Sequence, residues 1–360
     1  MEKKSEYSVH LVNSNASSWN KLIQKIPSDT YHYSEYLSLC SQNSDKVQVV
    51  MVKHDDDYIL GIPLIISQLP YGFEGFDACS PYGYASPIGD QLTEKQLKLA
   101  IKAVFDFFKQ RKIISLFIRF HPLLNSNELM SAFSFFGKVN NRGDVVYIDL
   151  FDDKDAICSQ VRPRFRTDIN KLKRNGWRFC VDDWSYINDF FDIYNMTMRR
   201  NEAQNFYYFS LKYFEGLRDK VGEKVKLHMV LDPDGHSAAG GIFLDNGNIV
   251  QYHLGGTNDK YLKFSPSKLL FHEAILWHKM QKAQYFIFGG GYGCLFDGLF
   301  NFKSGFSKKT LSYYTGSLVI DAQCYDKISA FHYTHNAMGV AELNKFFPAY
   351  RDVSNSNPSL

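Results

Sequence analysis

The run AGGIFLDNGNIVQYHLGGTNDKYLKFSPSKLL, residues 239–270, decides how the rest of the chain is read. Asp245-Asn246-Gly247-Asn248 is a hairpin signal between β-favouring runs at 242–244 and 249–253, because Asn and Gly tolerate the positive φ of a tight turn. A second signal, Asp232-Pro233-Asp234-Gly235, follows the run 226–231, so the spacing predicts a three-strand antiparallel meander. A polar, basic loop over 255–264 comes next. Ser265-Pro266 then opens a helix reaching about residue 283, with the serine placed to cap free N–H groups and proline at the first helical position. An apolar strand at 285–288 breaks on Gly289-Gly290-Gly291.

Strand, loop, helix N-terminus, strand is an order that can hold a phosphorylated ligand. Free N–H groups and the positive end of the helix dipole face the loop, and Lys260, Lys263 and Lys268 add charge. The same lysines would equally serve a loop that is merely solvated.

Outward from this stretch, composition sets the bounds. A chain of 360 residues, 45% hydrophobic, is long enough for two domains with a sizeable core. A formal net charge of +3 does not call for a nucleic-acid partner. Six cysteines without paired spacing indicate neither a disulfide scaffold nor a zinc site. His272-Glu273 lacks the second histidine of a zinc-protease helix, since Leu276 stands in its place, and no metal is expected. The N-terminus leads into no apolar signal region and no run is long enough to span a bilayer, so a reduced, cytoplasmic setting is expected.

Toward the N-terminus, strands are expected at 7–12, 47–53 and 58–67, the last two joined by an acidic turn, His54-Asp55-Asp56-Asp57. Residues 70–90 mix glycines, prolines and tyrosines, including Tyr82 and Tyr84, which makes a shaped loop of either functional or self-packed character. An amphipathic helix over 92–110 and strands at 113–120 and 145–150 complete a mixed α/β domain ending near residue 150.

Residues 156–175 are expected to form one helix, and the segment 161–178 carries seven cationic side chains against one carboxylate. Such a face suits RNA phosphates, or water alone. Arg199-Arg200, followed by Tyr207-Tyr208, can clamp an anion and stack on a ring, or simply close a helix. A last strand at 310–320, a helix near 337–345 and a disordered end at 354–360 finish the chain.

Taken in order, YHLGGTNDKYLKFSPSKLLFHEAILWHK (252–279), YFIFGGG (285–291) and FNFKSGFSKK (300–309), with SPYGYASP (80–87) and RFRTDINK (164–171) before Asn175-Gly176, resemble the Fem-type aminoacyltransferases and their FemAB-like relatives in the GNAT acyltransferase superfamily. The resemblance implies a mixed α/β chain of tandem GNAT-like domains, each a mostly antiparallel sheet flanked by helices. The divisions expected are 1–150 on the acceptor side, 151–320 on the donor side, and a tail over 321–360 packing back.

The activity implied is that of an N-acyltransferase or aminoacyltransferase acting on an amine of a cell-envelope precursor or surface-polysaccharide sugar. Its co-substrate would be an acyl-CoA or an aminoacyl-tRNA, with no permanently bound cofactor. The backbone of Leu254, Gly255 and Gly256 would donate to the oxyanion. Ser265, Ser267, Phe302 and the three loop lysines would hold the donor, and Lys303 its phosphate or leaving-group charge. Tyr82, Tyr84, Arg199, Arg200, Tyr207, Tyr208 and Tyr252 would line the acceptor side, with Asp90 taking the amine proton. A nucleotide-sugar or lipid-linked sugar, with peripheral membrane association and no DNA, completes the implied partners.

The loop 258–267 lacks the glycines of CoA-dependent members, and no coiled-coil arm of the peptidoglycan branch is present. A binding module for a nucleotide-sugar or RNA, without chemistry, is the alternative on the same fold.

Overall fold

The computed structural model describes residues 7–40, 46–89, 92–335 and 346–352. Its contacts divide the chain into two units, Met1–Asn141 with Tyr314–Leu360, and Arg142–Tyr313.

The first unit begins β1 (Tyr7–Asn13), α1 (Ser17–Lys25), α2 (Ser34–Leu37), β2 (Lys46–His54) and β3 (Asp57–Gln68). It continues through β4 (Phe76–Cys79), β5 (Ile88–Gly89), α3 (Glu94–Gln110), β6 (Ile113–Arg119) and α4 (Asn127–Ser134). β7 (Lys138–Asp149) leads into the second unit: α5 (Lys154–Gln160), α6 (Pro163–Arg174), β8 (Arg178–Cys180), α7 (Ile187–Arg200) and α8 (Leu211–Gly216). There follow β9 (Val225–Leu231), β10 (Ser237–Asp245), β11 (Ile249–Thr257), α9 (Ser267–Met280), β12 (Tyr285–Gly289) and α10 (Gly298–Lys303). β13 (Thr310–Val319) returns the chain to the first unit, and α11 (Ala322–His335) follows it.

Each unit repeats one plan that no sequence repeat announces. In the first, β1, β2, β3 and β4 pair antiparallel in order, β4 pairs β6 in parallel, and β6 pairs β13 antiparallel. In the second, β8, β9, β10 and β11 pair antiparallel in order, β11 pairs β12 in parallel, and β12 pairs β7 antiparallel. A parallel pair needs a crossover, supplied by α3 in one unit and α9 in the other. The closing strand comes out of order both times.

Local chemistry explains the elements. Thr93 and Gln96 form a capping box at the start of α3, whose buried stripe of Leu97, Ala100, Ile101, Val104 and Phe108 follows helical spacing. Asp55 takes φ 53° at the acidic turn, and β2 and β3 pair from His54 and Asp57 outward. The expected single helix over 156–175 is broken instead at Arg162, because Pro163 has no N–H to continue it and serves as the first residue of α6. α11 was not expected. The helix expected near 337–345 and the end at 354–360 lie outside the described residues. No helix among the described residues is long and apolar enough to cross a membrane.

The second unit's core buries Phe243, Phe271, Phe286, Phe288 and Phe306 around α9. Beside them runs a polar relay. His228 Nδ1 accepts the Asp182 N–H at 3.2 Å, which leaves the ring proton on Nε2, directed at His278 Nε2 3.4 Å away. His278 then donates from Nδ1 to Asp245 at 2.7 Å. Both rings are neutral in this arrangement, and burial holds both below the ordinary histidine value. His32, buried in the first unit, is pulled down to about 4 for the same reason.

Below about pH 6.5 the unfolded chain binds protons that these folded histidines refuse. The histidine contribution to stability is therefore expected to be full above that value and to be lost as the pH drops toward 4. Calorimetric melting temperatures across pH 7.5 to 4.5 check this. His228→Gln should flatten the slope, and a flat wild-type curve would contradict the relay.

Candidate active site

β11 holds β10 on one side and β12 on the other, but its parallel pairing with β12 is confined to Ile249, Val250 and Gln251. Beyond Gln251 the two strands part, and residues 252–257 of β11 carry no β12 partner on that edge. The ladder to β10 also slips here: Ile242 faces Leu254 and Phe243 faces Tyr252, so His253 is the extra residue of a bulge. A bulge at a splayed edge re-aims the backbone and opens a cleft in the sheet.

Gly255 and Gly256 are required by the protein itself. A Cβ on Gly255 would meet Tyr252 Oη at 2.5 Å, and one on Gly256 would meet Thr197 Oγ1 at 2.5 Å and the Ile193 carbonyl at 2.8 Å. Thr257 N donates to Thr197 Oγ1 at 3.0 Å, fastening the strand end to α7.

A cavity of about 390 Å³ opens beside this strand end, lined by Thr257, Leu262, Ser265, Ser267 and Lys268, by Arg162 and Phe165 of the α6 region, and by Gly298, Asn301 and Phe302 of α10. Of the expected donor residues it gathers Ser265, Ser267, Lys268 and Phe302. The sequence did not single out Phe165, Asn301, Thr257 or Gly298, and it placed Arg162 on a helix face; in the structure Arg162 donates to Asn301 Oδ1 at 2.8 Å and Ser304 Oγ at 3.0 Å. The pairing of α6 with α10 across chain distance was the missing signal.

The start of α9 differs from the expected cap. Ser265 is left-handed, φ 54°, and no side chain caps the helix; the Ser265 carbonyl accepts from Lys268 N instead. Ser265 N donates to the Leu262 carbonyl, and Pro266 has no N–H to offer. Lys268 is buried with its ammonium 2.6 Å from Asp168 and over the Phe165 ring. Lys260 and Lys263 are exposed, the latter 5.0 Å from the Phe264 ring.

Lys303 is 6% exposed and donates to the Gly290 carbonyl at 2.6 Å, with its ammonium 5.8 Å from the Tyr252 ring. It therefore joins the end of β12 to the splayed part of β11. Burial pulls its amine down to about 8, offset in part by Cys294 and Asp297. Tyr252 packs edge-on against Phe271 at 4.7 Å, and burial raises its phenol.

The expected acceptor residues fall in both units. In the first, Tyr82 gives its carbonyl to Tyr36 Oη at 3.1 Å, and the Tyr84 ring lies 5.7 Å from His121. In the second, Arg199 is exposed, whereas Arg200 pairs with Asp259 and donates to the Thr257 carbonyl at 3.2 Å. Tyr207 is held by Tyr194 Oη at its carbonyl and lies 6.5 Å from the Tyr292 ring; Tyr208 is exposed. Asp90 lies outside the described residues.

Residues 159–304 match the family model of the acetyltransferase (GNAT) domain. No curated protein matches the chain by sequence. Among solved structures, FemX shares the fold with a TM-score of 0.70 at 12% identity, over 90% of this chain and 99% of its own. L-PGS from Bacillus licheniformis gives 0.56 at 15% identity, over 86% and 93%. A tandem GNAT protein from the clavulanic acid biosynthesis pathway gives 0.53 at 10% identity, over 87% and 98%. At these identities the likeness is one of fold. The parallel strands that part over a helix N-terminus thus lie within residues 159–304, the stretch that matches the acetyltransferase (GNAT) domain model, in a mixed α/β chain with the fold of FemX and of tandem GNAT structures.

Proposed function

We propose that the chain transfers an acyl or aminoacyl group from an activated carrier to an amine of a cell-envelope precursor or surface-polysaccharide sugar. The observation that carries this reading is the parting of β11 from β12 beyond Gln251, beside a cavity at the start of α9 and the buried Lys303. The unpaired edge of residues 254–256 is suited to donate to the carbonyl oxygen as it gains charge, and Lys303 to stabilise the departing carrier.

The exposed cationic face of α6 favours aminoacyl-tRNA over acyl-CoA as the carrier, because the start of α9 offers only part of an anion site, the N–H groups of Ser267 and Leu269. A pyrophosphate binds well where several consecutive N–H groups converge. Here Ser265 N and Lys268 N already have acceptors, Pro266 has no N–H, and the Lys268 charge is met by Asp168. α6, by contrast, exposes Arg164, Arg166, Lys171 and Arg174 to an RNA backbone.

A panel of charged tRNAs and acyl-CoAs, each offered with amino-sugar acceptors, tests the reading by turnover. Affinity for a carrier with no transfer from any would favour a binding module instead. Arg164→Glu with Lys171→Glu should weaken tRNA binding by at least about ten-fold at low salt and flatten its salt dependence. Unchanged tRNA affinity in that variant would return the donor assignment to CoA.

A further inference from the structure

Resting on the acyl-transfer reading, we infer that Tyr213 and His253 form the relay that removes the proton from the acceptor amine. His253 is the bulge residue of β11, at the point where the strand loses β12, and it is 7% exposed. Its Nε2 lies 2.8 Å from the Tyr213 hydroxyl of α8. Tyr213 stacks on Phe209 at 4.3 Å, directly after the Tyr207-Tyr208 segment assigned to the acceptor.

The two faces of β11 are chemically different. Tyr252 turns toward Phe271 of α9, with Lys303 near its ring. His253 instead meets Tyr213, and Gly256 on the same strand approaches α7. A donor held on the α9 side and an amine arriving on the α7–α8 side would meet at the open edge between them. The Tyr213 hydroxyl is an ionisable partner of His253 on this side, and Lys303 lies 5.8 Å from the Tyr252 ring on the other.

In the step this implies, the neutral amine nitrogen attacks the donor carbonyl carbon, and the carbonyl electron pair moves to oxygen. The amine proton passes to Tyr213 Oη as the tyrosine's own proton passes to His253 Nε2, leaving an imidazolium. The carbonyl then re-forms, the bond to the carrier oxygen or sulfur breaks, and the proton returns through Tyr213 to the departing atom. Tyr213 is the group that touches the acceptor; His253 acts through it as a positioning residue.

Tyr213→Phe and His253→Gln keep shape and remove one partner each. Each is expected to lower kcat by about a hundred-fold, with donor affinity and melting temperature within error of wild type. The double variant should be no slower than either single one, because the two act as a unit. Beyond the ionisation of the acceptor amine itself, the acid limb of the kcat profile at saturating acceptor should lose one group in His253→Gln. A kcat within three-fold of wild type in either variant, multiplicative losses in the double, or an acid limb that keeps that group would overturn the relay while leaving acyl transfer standing. Absence of turnover by the wild-type chain from every donor would instead remove the acyl-transfer reading and the relay with it.

Discussion

Lys303→Met is expected to lower transfer by at least about ten-fold at pH 7 while leaving the melting temperature unchanged or raised. The two effects have opposite signs because the amine is held against its solvation. A fall from 10.5 to about 8 corresponds to roughly 3 kcal/mol disfavouring the charged form in the fold. Methionine fills similar space without that cost, and gives up the bond to the Gly290 carbonyl and the weaker contact of the ammonium with the Tyr252 ring.

In the proposed role, a charge-assisted contact worth about 1.5–3 kcal/mol is lost, or roughly ten- to a hundred-fold in rate. Lys303→Arg should restore only part, since a planar fork does not replace a point charge in a closed site. Lys303→Ala is the poorer probe, because emptying a site that is 6% exposed leaves a cavity and lowers the melting temperature for reasons unrelated to chemistry.

The pH dependence gives the same claim a second reading. Between about pH 8 and 10.5 the unfolded chain binds the lysine proton and the folded chain does not, so the Lys303 contribution to stability rises across that window and is constant below it. Transfer should run the other way, declining as the charge is lost above about pH 8. A rate that climbs through pH 8 and loses its climb in Lys303→Met would assign the amine as a base.

Gly256→Val is expected to have the largest effect on stability of any single change at the site. Its side chain would need the space of Thr197 Oγ1 and of the Ile193 carbonyl, and a helix backbone does not yield as a side-chain tip does. Overpacking of this kind costs about 3 kcal/mol, which lowers the melting temperature by roughly 6–12 °C for a unit of this size. Gly256→Ala should show a smaller loss in the same direction. Scanning calorimetry checks both, and a Gly256→Val melting temperature within 2 °C of wild type would show that α7 does not bear on this strand.

These glycines show how far the sequence could be read. Gly255-Gly256 stood out as a pair after a β-favouring run, and the strand, loop and helix around them follow from turn chemistry and helix spacing. The cause at Gly256 was not visible, because Thr197 and Ile193 of α7 meet it through helix packing that no local pattern encodes, and the Tyr252 ring folds back over Gly255 on the same strand where the bulge re-aims it. The break at Pro163 was legible from proline chemistry and was overlooked among the arginines beside it. The order of strands in each unit, with β13 and β7 entering out of sequence, carries no local signature at all. His253 was hidden for a related reason: a bulge exists only relative to the partner strand.

Lys303 entered through the resemblance, and the phenylalanines on either side of it, Phe302 and Phe306, pack with Phe165 and Phe271. What the sequence withheld was the burial that makes its proton negotiable.

That proton offers the most direct test of the account. The Lys303 amine can be titrated by NMR in protein labelled with nitrogen-15 lysine, first alone and then with a non-hydrolysable analogue of the charged tRNA 3′ end, using Lys303→Met to assign the signal. The account predicts a midpoint at about 8 in the free protein, moving upward by at least about one unit when the anionic analogue binds. Binding of the analogue with no movement of that midpoint would contradict the placement of the donor beside Lys303.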